Sequence, residues 1–225
     1  MGEAPSFSSD ASTTSNDMSS DASVPSDAIV TAMTVTERQQ RDRAHRRRAI
    51  ITAARQLAEA EGWDAVTTRR LADRIEYSQP VLYSHFAGKG DIIEAVAVEG
   101  FAELRVILRN AREAAGSPVA ALRELAGAYI GFALEHPALY DAMFTLSTEL
   151  PFGRPETPRE LQAAFGELLE AITPLAGERD PETLAEVAWS ALHGVATLTR
   201  AHRLRPDYQQ ARLTMLADQL AGVPG

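Results

Sequence analysis

Apolar residues between positions 50 and 58 fall at Ile50, Ala53, Ala54, Leu57 and Ala58, the spacing of one helical face. The pattern predicts a first helix over 36–61, closed by Gly62 as a left-handed C-cap. Thr67 is a good N-cap for a short helix over 68–75 that turns Leu71, Ala72 and Ile75 inward. Ser78 caps a third helix with Pro80 in its first turn, where a missing N–H costs nothing. A long fourth helix follows over 89–115. Ser117-Pro118 opens another that ends near Glu135, and His136-Pro137 breaks the chain before the next. Thr157-Pro158-Arg159-Glu160 reads as a capping box with proline at the first helical position. Asp180-Pro181 opens a helix to about 202, and Pro206 stands at the start of the last. Residues 151–155 are the one obvious loop. No segment sustains the period-two alternation of a strand. The pattern predicts an all-α chain of about nine helices: an N-terminal three-helix unit and a C-terminal helical domain.

Residues 1–36 depart from this periodicity. They are rich in Ser, Thr, Asp and Ala, carry five acids and no Lys or Arg, and have Phe7 as their one aromatic. Such a stretch cannot bury enough surface to offset its ordering entropy, so a disordered acidic tail is expected. Charge divides the remainder. The formal net charge is −9, yet residues 37–92 sum to +3 while 93–225 sum to −7. A basic island in an acidic chain suits a region that meets phosphate, although charge runs of this size also occur on plain solvated faces. The absence of cysteine excludes disulfides, thiolate metal sites and thiol nucleophiles. Neither a membrane-length apolar run nor a signal-peptide pattern is present, so a cytoplasmic protein without membrane partners is expected.

The basic island contains Thr67 to Phe86, TTRRLADRIEYSQPVLYSHF. Two short helices joined by a tight turn, both apolar toward the first helix, form a helix-turn-helix whose second helix enters the DNA major groove. Leu82 and Phe86 point inward; Gln79, Val81 and Ser84 point outward. Gln pairs bidentately with adenine, and Val81 suits a thymine methyl. Arg69 is placed to reach guanine O6 and N7. Thr68, Tyr83, His85 and Lys89 are phosphate-type donors, Thr68 and Lys89 beside helix N-termini that favour anions. Taken singly, His85 reads equally as a capping or solvated histidine, and Tyr83 as a core tyrosine with a surface hydroxyl. Glu76 occupies the turn before the third helix, where a left-handed residue is expected.

From Arg48-Ala49-Ile50-Ile51 through Ala53-Ala54, Leu57, Gly62, Thr67-Thr68-Arg69, Leu71-Ala72, Leu82-Tyr83, His85-Phe86, Lys89 and Ile92, the chain resembles the TetR family of bacterial transcriptional repressors. The resemblance implies base contact by Arg69, Gln79 and Val81 and phosphate contact by Thr68, Tyr83, His85 and Lys89. Lys89 is the only lysine among 22 Lys and Arg residues. The family usually has glycine where Glu76 stands. The resemblance also implies a double-stranded operator, release by a small-molecule effector, and a homodimer formed through the last two helices.

Residues 93–225 show no Gly-x-Ser-x-Gly elbow, zinc-binding His pair or Gly-rich phosphate loop, so no enzyme, metal or cofactor is expected. Glu167 and Glu170 fall at helical spacing and read as an ordinary solvated face. The helix over 180–202 is apolar nearly all round, with Val187, Ala188, Trp189, Ala191, Leu192, Val195 and Leu198. Such a helix needs a second surface, and the same helix of another copy supplies it at least cost; Ala188, Ala191 and Gly194 are small enough for close approach. Trp189 to Gly194 is similar to a Trp-x-x-x-His-Gly element found in one C-terminal subgroup of the family. Trp189 and His193 share a face and either line a cavity or simply pack. Surplus apolar bulk and the resemblance together suggest an effector pocket for a small, fairly apolar ligand. Its candidate linings are Phe101, Leu104, Leu108, Tyr129, Phe132, Met143, Phe144, Phe165, Leu169, Trp189 and His193. The expected division is thus a tail (1–36), a DNA-binding domain (37–90) and an effector-binding and dimerisation domain (91–225).

Overall fold

The computed structural model describes residues 26–146 and 150–222, with side chains from residue 34 onward. Two compact units divide after Arg43. The first holds the N-terminal stretch of helix α1 (Ser26–Glu61). The second holds the rest of α1 and the helices α2 (Thr68–Ile75), α3 (Gln79–Tyr83), α4 (Lys89–Glu113), α5 (Pro118–Glu135), α6 (Pro137–Phe144), α7 (Arg159–Ile172), α8 (Pro181–Arg200) and α9 (Gln209–Leu220). Three short 3-10 turns complete the described residues, which contain no strand.

The helix starts follow local chemistry. The Thr67 hydroxyl accepts the Arg70 N–H at 3.2 Å, Ser117 accepts that of Ala120 at 3.3 Å, and the Asp180 carboxylate accepts that of Thr183 at 2.8 Å. Three expectations need correcting. Helix α1 begins at Ser26, ten residues inside the expected tail, because extending an existing helix avoids the nucleation cost; residues 1–25 lie outside the described residues. Helix α7 begins at Arg159 with Pro158 as its N-cap and no side-chain cap. The Thr157 hydroxyl instead accepts the Arg154 N–H at 3.1 Å, closing a turn in the preceding loop. Gly62 does have positive φ, but with φ 82° and ψ 165° it sits in the extended region open to glycine rather than the left-handed helical one.

A single hydrophobic core runs from Ile50 to Leu220 without a break. Helix α4 lies at its centre and packs on α5, α6 and α7, burying Ile92, Val96, Phe101, Leu104 and Leu108. Gly100 lets α6 press against α4. A Cβ there would stand 2.7 Å from both Leu139 Cδ1 and Met143 Sδ.

Polar chemistry locks α4 to α7. Glu167 is not a solvated residue, being only 2% exposed. Its carboxylate faces Arg105, Arg109 and Arg112 at 3.4, 3.1 and 2.9 Å. These arginines stand at i, i+4 and i+7 on α4, so one face of that helix presents all three guanidinium groups to one acid. Glu170, 2.7 Å from Arg112, is the more exposed member that periodicity alone cannot tell apart. Burial pushes the Glu167 carboxyl up, but the hydrogen bond from Arg112 and the charges of Arg109 and Arg112 outweigh it and hold the group below its usual value of 4.5. A depressed folded-state pKa contributes stability above about pH 4.5 that is lost as the pH falls through the folded value. Glu167→Gln should therefore lower unfolding stability at neutral pH by roughly 1–2 kcal/mol, allowing for solvent screening of the half-exposed arginines. Chemical denaturation at a series of pH values checks this, and the gap between parent and variant should narrow toward acid.

Candidate functional site

Helices α2 and α3 meet at Glu76, whose φ of 56° and ψ of 34° place it in the left-handed helical region. The Glu76 N–H donates to the Ala72 carbonyl and that of Tyr77 to the same oxygen at 3.1 Å, closing α2. This conformation turns the chain so that α3 buries Leu82, and Phe86 beyond it, while its other side stays open.

On the open side Gln79, Tyr83 and Ser84 are exposed, Tyr83 by 54%. Val81 and His85 are half-buried. The Ser84 hydroxyl donates to the Val81 carbonyl at 2.7 Å. Across the turn, the Thr68 and Tyr83 hydroxyls lie 3.5 Å apart, forming a paired polar edge between α2 and α3. The two adjacent arginines differ. Arg70 is engaged with Glu61 by two bonds of 2.9 and 2.8 Å, while Arg69 is exposed and has no such partner among the described residues. The Lys89 ammonium donates to the Trp63 carbonyl at 2.5 Å, which uses one of its three N–H groups. One participant was not anticipated from the sequence. Arg47, on α1, lays its guanidinium 4.3 Å from the centre of the Phe86 ring and donates to the His85 carbonyl at 3.3 Å. It joins α1 to the end of α3, a long-range contact without a local sequence signal.

The end of α1 is also fastened to α6. The Glu59 carboxylate accepts the N–H groups of Ala138 and Leu139 at 3.1 and 2.9 Å, satisfying the first turn of α6. Trp63 adds a bond from its indole N–H to the Ala138 carbonyl at 2.7 Å.

At the other end of α6, Phe144 borders a cavity of about 690 Å³ enclosed by α4, α5, α7, α8 and the loop before α7. Seven of the sequence candidates line it: Phe101, Leu104, Leu108, Tyr129, Phe144, Phe165 and Trp189. Four do not. Phe132 packs its ring against His136 at 5.3 Å, and Met143 is turned to Gly100. Leu169 packs on the core, and His193 is bonded to Tyr140. Helical periodicity identifies a buried face but not which part of it meets another helix and which part meets a void. The lining also includes Phe152, Arg154, Gln162 and Glu186. Phe152, a lone aromatic in a Gly/Pro loop, was the available signal for that wall.

A hydrogen-bonded chain backs the cavity. The Trp189 indole N–H donates to the Tyr129 hydroxyl at 3.2 Å, Tyr129 and Tyr140 share a 2.9 Å bond, and Tyr140 lies 2.7 Å from His193 Nδ1. Burial pushes the Tyr129 hydroxyl up to about 12 and raises Tyr140 as well. Burial, then the Arg200 guanidinium, lowers His193, so the imidazole is neutral at pH 7. Arg200 itself is held by Asp141 at 2.8 and 3.0 Å.

Helix α8 presents a second, outward stripe. Val187 and Leu198 are 54% and 44% exposed, with Ala191 and Gly194 between them at helical spacing. Ala188, expected among the small residues on that side, is fully buried in the chain's own core. On α9, Met215 is 63% exposed.

The family model for bacterial regulatory proteins of the tetR family matches residues 50–96, and that for the tetracyclin repressor-like C-terminal domain matches residues 122–220. An uncharacterized HTH-type transcriptional regulator of Mycobacterium tuberculosis is 30% identical over 156 residues, which cover 68% of this chain and 69% of the relative. The chain belongs to the TetR family of transcriptional regulators. As members of that family are DNA-binding regulators and not enzymes, so is this chain. The class C tetracycline repressor protein of Escherichia coli is 43% identical over 51 residues, only 23% of either chain, so that similarity is confined to one segment. Among solved structures, a protein with unknown function from Rhodococcus sp. RHA1 superposes with a TM-score of 0.67 at 27% identity, covering 78% of this chain and 93% of that one. No helix among the described residues is long and apolar enough to cross a membrane.

The turn of this TetR-family chain carries measurable strain. A side chain in the left-handed region costs about 1–2 kcal/mol, partly offset because glycine would lose more entropy on folding. Glu76→Gly should raise stability by roughly 0.5–1 kcal/mol in chemical denaturation. A loss of stability would show that the Glu76 side chain contributes more than its strain costs.

Proposed function

We propose that this regulator is a repressor that binds a palindromic operator as a homodimer and leaves it when a small, fairly apolar ligand fills the cavity. The single observation that carries the DNA half of this reading is the two-sided character of α3. Leu82, with Phe86 beyond the helix, anchors it inward, while Gln79, Tyr83 and Ser84 are exposed. In this reading Gln79, Val81 and Arg69 face base edges, and Thr68, Tyr83, Ser84, His85 and Lys89 face the phosphate backbone. The unpartnered state of Arg69 beside the engaged Arg70 favours Arg69 as the base reader. Residues 37–90 act as the DNA-binding part and 91–225 as the effector and dimerisation part, with the protein working in the cytoplasm.

The outward stripes of α8 and α9 support the dimer, since Val187, Leu198 and Met215 leave apolar surface that a second copy would cover. Two recognition helices then read half-sites about 34–36 Å apart, or a multiple of that. The cavity supports the effector half. A regulator without a ligand would fill such a space with side chains, because empty volume in a core is costly. Release requires the ligand to favour the state that does not bind the operator.

Selection of bound DNA from a random pool with the purified protein tests the reading, and a palindromic consensus is the expected result. Recovery of sequences with no shared motif would overturn it. On the selected site, Gln79→Ala should cost about 1–3 kcal/mol and relax discrimination at one position of each half-site. Unchanged affinity and specificity would remove Gln79 from the contact set.

A further inference from the structure

Four aromatic rings in the cavity form a closed circuit. Phe101 meets Phe144 at 5.2 Å, Phe144 meets Trp189 at 5.9 Å, Trp189 meets Phe152 at 6.5 Å, and Phe152 returns to Phe101 at 6.0 Å between centroids. They come from α4, α6, α8 and the loop before α7, so four separate parts of the chain converge on one point. Phe152 and Trp189 are near-parallel, inclined by 16°. A group held within this circuit lies inside the distance of about 6 Å at which a cation is attracted to an aromatic ring. An anion at the same place meets the negative faces of the rings and is repelled.

The polar groups of the cavity point the same way. A phenol is the stronger acid and an imidazole nitrogen the stronger base, so the bond between Tyr140 and His193 Nδ1 runs from the phenol O–H to the nitrogen. Tyr129 then donates to Tyr140, and Trp189 donates to Tyr129. Every proton on these three side chains is committed, and Tyr129 offers the cavity only its remaining lone pair. Glu186 lines the same wall one helical turn before Trp189, and its carboxylate makes no hydrogen bond or ion pair among the described residues. Arg154 is the opposing cation at the rim, placed on the irregular loop rather than on a helix. Beyond the aromatic circuit the lining is aliphatic, with Leu104, Leu108, Leu125, Leu161 and Leu168.

Building on the reading that this cavity holds the effector, we infer that the effector is an organic cation on an apolar body. Its ammonium group sits among Phe101, Phe144, Phe152 and Trp189 with Glu186 as counter-charge, and its tail lies along the leucines. Glu186 is exposed, so its contribution is screened by solvent and salt. The aromatic circuit supplies the larger part of the discrimination.

Three probes that share one tail decide this: decyltrimethylammonium, 1-decanol and decanoate, titrated into the full-length protein by calorimetry. The cation should bind about tenfold more tightly than the alcohol, and decanoate most weakly. Glu186→Gln should weaken the cation about threefold and leave the alcohol unchanged. Phe152→Leu, at a 44% exposed position where folding is not at stake, should reduce the preference for cation over alcohol. If decanol or decanoate binds as tightly as the cation, or if Glu186→Gln and Phe152→Leu leave the cation's affinity unaltered, the charge assignment is wrong while the effector cavity stands. If none of the three binds, the cavity reading falls and this inference with it.

Discussion

The burial of α4 on three sides is the constraint on which the rest of the molecule depends. A 25-residue helix carries Ile92 and Val96 near its start, Gly100 at its close approach to α6, and Phe101, Leu104 and Leu108 on the cavity wall. Its remaining face is taken up by Arg105, Arg109 and Arg112 around Glu167. No other element touches the helix-turn-helix end of the core and the cavity through one rigid body. A buried acid among three arginines adds little net energy compared with an apolar contact, but it tolerates only one register of α4 on α7.

Helix α6 shows how short elements are given a fixed place. Eight residues make a marginal helix in isolation. Here its first turn is satisfied by Glu59, its carbonyl side meets Trp63, and its last residue, Phe144, belongs to the aromatic circuit. The same eight residues therefore touch the end of α1 and the border of the cavity. The Trp63 carbonyl in turn receives Lys89 at the start of α4, so α1, α4 and α6 are joined at one residue.

The buried chain Trp189–Tyr129–Tyr140–His193 is the counterpart on the other side of α6. An apolar cavity of this size would be simpler with leucine at each of these positions. The four polar groups persist because each finds its partner within 2.7 to 3.2 Å, and a network satisfied in this way carries no orphan penalty. It also fixes the Trp189 ring, which faces Phe152 across the cavity.

Much of this was legible in the linear sequence. Local signals acting over three or four residues located the helices: caps at Thr67, Ser117 and Asp180, and the apolar spacing of Ile50, Ala54 and Leu57. The left-handed turn at Glu76 was legible for the same reason, since backbone conformation there is set by adjacent residues. Contacts between distant segments were not. That Glu167 is buried and Glu170 is not, that Arg70 is occupied and Arg69 free, and that Met143 faces Gly100 while Phe144 faces a void all depend on which helix lies opposite. Residues one apart on a helix differ by 100° of rotation, and periodicity marks the buried side without naming its neighbour. The chain by itself settled the helices, their order and the outward face of α3. Only packing in three dimensions decided which buried side chains became core, which became salt-bridge lock and which became the wall of a cavity.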